Sequence, residues 1–287
     1  MKNSKVLFLD LVNQIKIDEN SDEIQSMVYI LLENLFSLSR ADILTQKEIA
    51  LQDTDWARIE EIVHRINLME PIQYILGETE FYGRNFKVDN SVLIPRPETE
   101  ELVRLIIQRV NRMGSLGRPC RLLDIGTGSG CIPVTLALEL QGAELFATDV
   151  SPQALKVAHE NASRLDARVQ FVLNDILQDQ IPVGNLNVII SNPPYIPVGE
   201  KESMKRNVLE FEPHLALFVS DEDPLVFYRV IVEKSRDALA SRGLLAVEVN
   251  ERFGQEVASL FKAGGYTDIG IVKDLSGKQR IVTGVSQ

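Results

Sequence analysis

The feature that most constrains this chain lies between residues 121 and 284, where short apolar strands alternate with amphipathic helices. Strands are expected at 121–124, 144–149, 169–174, 186–191 and 243–249. Helices are expected between most of them, at 131–140, 152–164 and 224–239, with one before at 97–112 and one after at 252–263. Two last strands, 270–273 and 280–284, flank Leu275-Ser276-Gly277-Lys278, a spacing that suits an antiparallel hairpin. Such alternation implies an α/β fold with a parallel, doubly wound sheet, because each parallel return needs a crossover. Sheets of that kind bind ligands at the carboxyl ends of their strands.

The first strand of the series runs into Leu122-Leu123-Asp124-Ile125-Gly126-Thr127-Gly128-Ser129-Gly130. Glycines at alternate positions let the backbone turn sharply and approach a ligand closely. The second strand ends at Asp149, whose carboxylate can accept hydrogen bonds from both hydroxyls of a ribose. A dinucleotide site wants its third glycine three residues after the second, and position 131 is Cys. The spacing instead resembles the first motif of Rossmann-like methyltransferases, whose ligand has no pyrophosphate. Gly126, Thr127, Gly128, Ser129 and Gly130 are thus the candidate cofactor loop. Asn174-Asp175 closes the third strand, beside the adenine in such folds, so Asp175 either accepts from the exocyclic amine or simply caps a turn.

Ser191-Asn192-Pro193-Pro194-Tyr195 follows the fourth strand, at the same carboxyl edge. An amide or aryl NH2 is a weak nucleophile because its lone pair is delocalised. The Asn192 side-chain oxygen and the Pro193 carbonyl can accept its two N–H bonds, and Pro193 and Pro194 restrict the backbone that aims them. Tyr195 can lay its ring against a flat amide or base. No general base is needed before methyl transfer, since the extra proton becomes acidic only as the N–C bond forms. Other chemistries find little support. His64, His159 and His214 are scattered, no Cys/His spacing suits zinc, and no nucleophile elbow is present. No metal is expected.

The first ~75 residues carry helical periodicity only. Ser21 and Thr54 are expected helix caps, and Pro71 suits the first turn of a short helix ending at Gly77. Phe81, Tyr82, Phe86 and Val88 around Gly83 suggest a hairpin. The expected organisation is a helical substrate-docking domain at 1–77, a β-hairpin linker at 78–96 and a catalytic domain at 97–287. The net charge of -11 makes the chain a poor non-specific nucleic-acid binder. Two cysteines imply no disulfide framework, and no apolar run reaches the ~18 residues of a membrane span. A soluble, cytoplasmic protein without a membrane partner is expected.

Asn192-Pro193-Pro194-Tyr195, together with Leu93-Ile94-Pro95-Arg96-Pro97-Glu98-Thr99-Glu100, closely resembles the peptide chain release factor N(5)-glutamine methyltransferases, the HemK/PrmC family. Adenine-N6 methyltransferases share the first motif, and the second is much more specific. Glu212-Pro213 with Ala216-Leu217, and Asp274 with Gly277 and Arg280, extend the likeness over nearly the whole chain. Phe218-Val219-Ser220-Asp221-Glu222-Asp223-Pro224-Leu225 departs from the glycine-rich stretch common there.

The resemblance implies a Rossmann-like class I methyltransferase sheet behind a small N-terminal helical bundle. It also implies methyl transfer from S-adenosylmethionine to the glutamine of the Gly-Gly-Gln motif in class 1 release factors. A monomer with no stable nucleic-acid partner is expected. Gly126 to Gly130, Asp149 and Asn192 would meet the cofactor, with Asp175 and Ile176 flanking its adenine. Asn192, Pro193, Pro194 and Tyr195 would hold the glutamine, with Arg96 and Thr99 near the mouth. A ribosomal-protein glutamine and a nucleic-acid adenine are the alternative targets.

Overall fold

A computed structural model describes residues 2–113 and 119–287. The chain divides into two compact units. The smaller comprises Met1–Glu78 with Lys205–Phe211, and the larger comprises Thr79–Met204 with Glu212–Gln287.

The smaller unit holds α1 (Ser4–Gln14), α2 (Ser21–Phe36), α3 (Arg40–Leu44), α4 (Asp53–Asn67) and α5 (Ile72–Leu76). Their apolar stripes meet in one core that includes Leu7, Leu11, Val28, Leu31, Leu32, Ile59 and Ile66. The caps fall earlier than expected, by one position for α2 and by two for α4. Asn20, not Ser21, caps α2 by accepting from the Glu23 N–H at 2.9 Å, and Ser21 begins the helix. Likewise α4 begins at Asp53, and the Asp55 carboxylate accepts from the Gln52 N–H at 2.8 Å. Gly77 closes α5 in the left-handed conformation. A short helix, Arg206–Phe211, joins this unit from far along the chain, and Lys205 beside it pairs with Glu19 and Glu23 at 2.8 and 2.9 Å.

The larger unit is built on a seven-stranded sheet. Its strands are β1 (Arg121–Ile125), β2 (Glu144–Asp149), β3 (Val169–Leu173), β4 (Leu186–Ser191), β5 (Leu239–Glu248), β6 (Thr267–Lys273) and β7 (Gln279–Val285). They lie in the order β6-β7-β5-β4-β1-β2-β3. β1 to β5 run parallel, and β7 and β6 form the antiparallel edge. Side chains alternate between faces, as the pleat requires. Leu122, Val188, Ile190 and Leu244 enter one core layer, and Leu123, Ile189, Leu245 and Val247 the other.

Helices cover both faces. α6 (Pro97–Met113), α7 (Cys131–Glu139) and α8 (Pro152–Arg164) supply Leu102, Val103, Val134 and Ala162 to the first layer. α9 (Val226–Ala238) and α10 (Gly254–Ala263) supply Tyr228, Ile231 and Phe261 to the second. α9 and α10 each begin two residues later than the sequence suggests. The hairpin expected as a linker, Glu78–Phe81 with Arg84–Lys87, buries Phe81 and Phe86 in the first layer. The fully buried Asn161 of α8 holds it by exchanging hydrogen bonds with the Lys87 backbone at 2.6 and 2.9 Å.

The strand order decides what becomes neighbouring. β4 returns beside β1, so Ser191 pairs with Ile125. β5 then lies beside β4, with Val247 opposite Ser191, and β2 beside β1, with Thr148 opposite Ile125. Glu248, Asn192, Gly126 and Asp149 therefore emerge side by side along one sheet edge. The reversal between β1 and β4 is the switch point at which open α/β sheets take their ligands.

Candidate functional site

A cavity of about 500 Å³ opens at that edge. Small-molecule sites commonly span roughly 300–1,000 Å³. Gly126, Thr127, Gly128, Ser129, Asp149, Asp175, Ile176, Asn192, Pro193, Pro194 and Arg96 line it. Of the residues singled out from sequence, Gly130 and Tyr195 do not. Gly130 starts α7 with φ 77°, and a Cβ there would lie 3.0 Å from the Ala158 Cβ. Its task is close packing of the loop on α8. Tyr195 turns away from the cavity: its ring packs on the second core layer and its hydroxyl reaches Glu248 at 3.4 Å.

The glycine loop is tied to β2 at several points. The Gly126 and Thr127 N–H groups donate to the Thr148 carbonyl, both at 2.9 Å. Gly128, at φ 54°, donates its N–H to Asp149 Oδ2 at 2.8 Å, and Ser151 donates to Oδ1 at 2.9 Å. Burial pushes the Asp149 carboxyl above its usual range, and those backbone donors hold it back. Thr127 lines the cavity, and its hydroxyl is buried at the base of the loop beside Asp124. Beneath the loop Asp124 is 1% exposed, and burial, opposed by the Thr127 hydroxyl, pushes its carboxyl up to about 7. A turned glycine cradle and a ribose-competent carboxylate in one cavity fit a nucleoside ligand.

Asp175 lines the cavity and also organises its own turn, accepting from the Leu177 N–H at 3.0 Å and the Gln178 amide at 2.9 Å. Its two sequence readings are thus compatible. Ile176 is buried beside it, and the Lys234 ammonium grips its carbonyl at 2.7 Å.

On the opposite wall, Asn192 donates through Nδ2 to Thr99 Oγ1 at 3.2 Å. Thr99 donates in turn to Glu248 Oε2 at 2.8 Å. Burial pushes Glu248 up to about 7, opposed by the Thr99 hydrogen bond and the Arg280 charge. Arg96 lines the cavity with its guanidinium bound to Glu212 at 2.5 Å, and Glu212 also accepts from the Ile94 N–H at 3.3 Å. The guanidinium thus braces the wall formed by the segment around Pro95.

Glu248 and Asn161 carry no motif that marks them in the sequence, whereas Glu212 stands in the Glu212-Pro213 match. Glu248 ends β5, but the expected strand ran past it to 249, hiding a carboxylate at the carboxyl edge. Among the described residues no group of His, Cys, Asp and Glu could hold a metal ion.

Comparison with known proteins adds a second line of observation. The family descriptions that match are "Methyltransferase small domain" over residues 103–210 and "PrmC N-terminal domain" over residues 16–77. The release factor glutamine methyltransferase of Flavobacterium psychrophilum is 40% identical over 282 residues, covering 98% of each chain. That of Bacteroides thetaiotaomicron is 43% identical over 263 residues, covering 91% of this chain and 92% of its own. Among solved structures, the hMettl16 catalytic domain in complex with the MAT2A 3'UTR hairpin 6 covers 84% of each chain with a TM-score of 0.55. At 15% identity that likeness concerns the fold alone.

Proposed function

The chain belongs to the release factor glutamine methyltransferase family, and on that premise we propose that it methylates the side-chain amide nitrogen of the Gly-Gly-Gln glutamine in class 1 peptide chain release factors. The observation that carries this reading is the meeting, in one cavity, of the glycine loop and Asp149 with Asn192-Pro193-Pro194. The family's methyl donor is S-adenosylmethionine, which supplies an electrophilic methyl on a sulfonium when bound.

In this reading Gly126 to Ser129 and Asp149 hold the donor's nucleoside part, and Asp175 and Ile176 flank its base. Asn192 Oδ1 and the Pro193 carbonyl accept the two N–H bonds of the glutamine amide and aim its nitrogen. Positioning supplies most of the rate, since well-aligned bound reactants gain ~7–11 kcal/mol. Tyr195 braces this wall from behind, and Arg96, which lines the cavity, braces the segment around Pro95 through Glu212. The smaller helical unit docks the protein substrate.

The net charge of -11 argues against a stable nucleic-acid partner, and no helix among the described residues is long and apolar enough to cross a membrane. We take the enzyme to work as a cytoplasmic monomer.

The test is transfer of labelled methyl from S-adenosylmethionine to a purified release factor, followed by mass mapping. One methyl mass on the Gly-Gly-Gln glutamine is expected, with transfer abolished when that glutamine is changed to alanine and unaffected by nuclease. Labelling of DNA, RNA or a ribosomal protein, with the release factor untouched, would overturn the reading.

A further inference from the structure

Glu248 sits at the end of β5, one strand over from the loop that carries Asn192. Its two carboxylate oxygens reach toward both ends of that loop. Oε2 receives the Thr99 hydroxyl at 2.8 Å, and Oε1 receives the Tyr195 hydroxyl at 3.4 Å. The residue is only 1% exposed, so water does not compete for those lone pairs. Its backbone is pinned too, because the Tyr228 hydroxyl donates to its carbonyl at 3.2 Å.

A hydroxyl has one proton. When Thr99 gives that proton to Glu248, only lone pairs of Oγ1 remain for Asn192. The asparagine must then offer its NH2, and it does so at 3.2 Å. A carboxamide has nearly the same shape in either flip, so hydrogen bonding decides which end faces which way. With Nδ2 committed to Thr99, the acceptor Oδ1 is the end left for the cavity that Asn192 lines.

We propose that Glu248 is a positioning residue which, through Thr99, locks the Asn192 amide with its oxygen toward the substrate and so makes the site select a carboxamide NH2 over a carboxylate. This rests on the glutamine reading above. A glutamate side chain offers acceptors only, and would meet an acceptor in Asn192.

The surroundings of Glu248 set the pH range in which this relay runs. Thr99 and Glu98 approach from α6, Tyr195 from the Asn192 loop, Tyr228 from α9 and Arg280 from β7. Burial, the larger effect, and the Glu98 charge push the carboxyl up to about 7 against the two hydroxyl donors and the Arg280 charge, so the relay operates as pH rises through about 7. Protonation of Glu248 would turn it into a donor toward Thr99. The Thr99 proton would then face Asn192 and favour the opposite flip.

The experiment compares wild type with Thr99→Val, close in shape without the hydroxyl, and Thr99→Ser, which restores it. Three quantities are read: S-adenosylmethionine affinity, the single-turnover methyl-transfer rate on a short Gly-Gly-Gln peptide, and the affinity ratio of that peptide to its Gly-Gly-Glu counterpart. Thr99→Val should bind S-adenosylmethionine almost as wild type does. It should lose roughly a hundred-fold in rate and at least about ten-fold of its preference for glutamine over glutamate. Thr99→Ser should regain most of both. A loss of packing alone would not move the preference. Wild-type rate and preference in Thr99→Val would overturn the relay alone, and so would failure of Thr99→Ser to recover either. Absence of transfer by the wild-type chain would overturn the glutamine reading and this proposal with it.

Discussion

Replacing Asp149 by alanine removes a carboxylate that already receives two backbone donors, Gly128 N–H at 2.8 Å and Ser151 N–H at 2.9 Å. Each oxygen keeps a lone pair beyond those bonds, and these are the pairs assigned to the ribose hydroxyls of S-adenosylmethionine. A lost hydrogen bond to a charged group is worth ~1.5–3 kcal/mol, or roughly ten- to a hundred-fold in Kd. The loop adds to the loss, because Gly128 sits at φ 54° with its N–H aimed at Asp149 and would lose the tether that holds it there. Asp149→Asn is the finer probe. Its shape is conserved, but one end of the amide is a donor and must face either Gly128 or Ser151, both donors themselves. It should therefore weaken binding as well, even though only a charge and one acceptor are gone. Calorimetric titration of the folded variants with S-adenosylmethionine reads both effects. Unchanged affinity in folded Asp149→Ala would remove this carboxylate from the site. Tighter binding of NAD than of S-adenosylmethionine by the wild-type chain would overturn the nucleoside assignment altogether.

Asn192→Ala should leave S-adenosylmethionine affinity nearly intact while the single-turnover rate falls about a hundred-fold or more, and a near-native rate would end its proposed role. Arg96→Ala strands Glu212, whose side chain is 1% exposed, without its cation. Breaking a fully buried pair costs about 3–5 kcal/mol. Because Arg96 keeps 34% exposure, about 2–3 kcal/mol is expected in a urea melt, and an unchanged melt would refute the bracing role. Glu248 is raised from 4.5 to about 7, so its contribution to stability is full below pH 4.5 and is lost as pH rises through about 7. Measured against Glu248→Gln, the wild-type chain should lose about 3 kcal/mol across that window, and parallel pH–stability curves for the two would contradict it.

What the sequence made legible follows from how each kind of information is written. Buried parallel strands are continuous apolar runs between turn residues, so Glu144–Asp149 and Leu186–Ser191 are found at their observed bounds. α8 is bounded as expected, with Ser151 capping it through the Ala154 N–H and Pro152 in its first turn. Stretches without a period resist such reading. Between residues 196 and 219 the elements are short, and a two-stranded parallel pair joins Ile196–Pro197 to Phe218–Val219. Gly199 is held by Asp221, and Lys205 by Glu19 and Glu23, through contacts that no local pattern carries.

The same division runs through the site. Gly126, Asp149, Asp175 and Asn192 come just after, or at, the carboxyl ends of strands, and strand order alone makes them neighbours. Residues that act through another side chain have no such address. Thr99 lies in the first turn of α6, and its hydroxyl matters only because Glu248 arrives from a strand 149 residues away. Tyr195 shows the converse. Its position after Pro194 suggests a platform for a flat substrate, yet the ring is drawn to the core and the hydroxyl to Glu248. A motif therefore names the atoms at the edge of the sheet, while Asn192, through Thr99, and Tyr195 are tied to Glu248, a buried carboxylate that the motif does not contain.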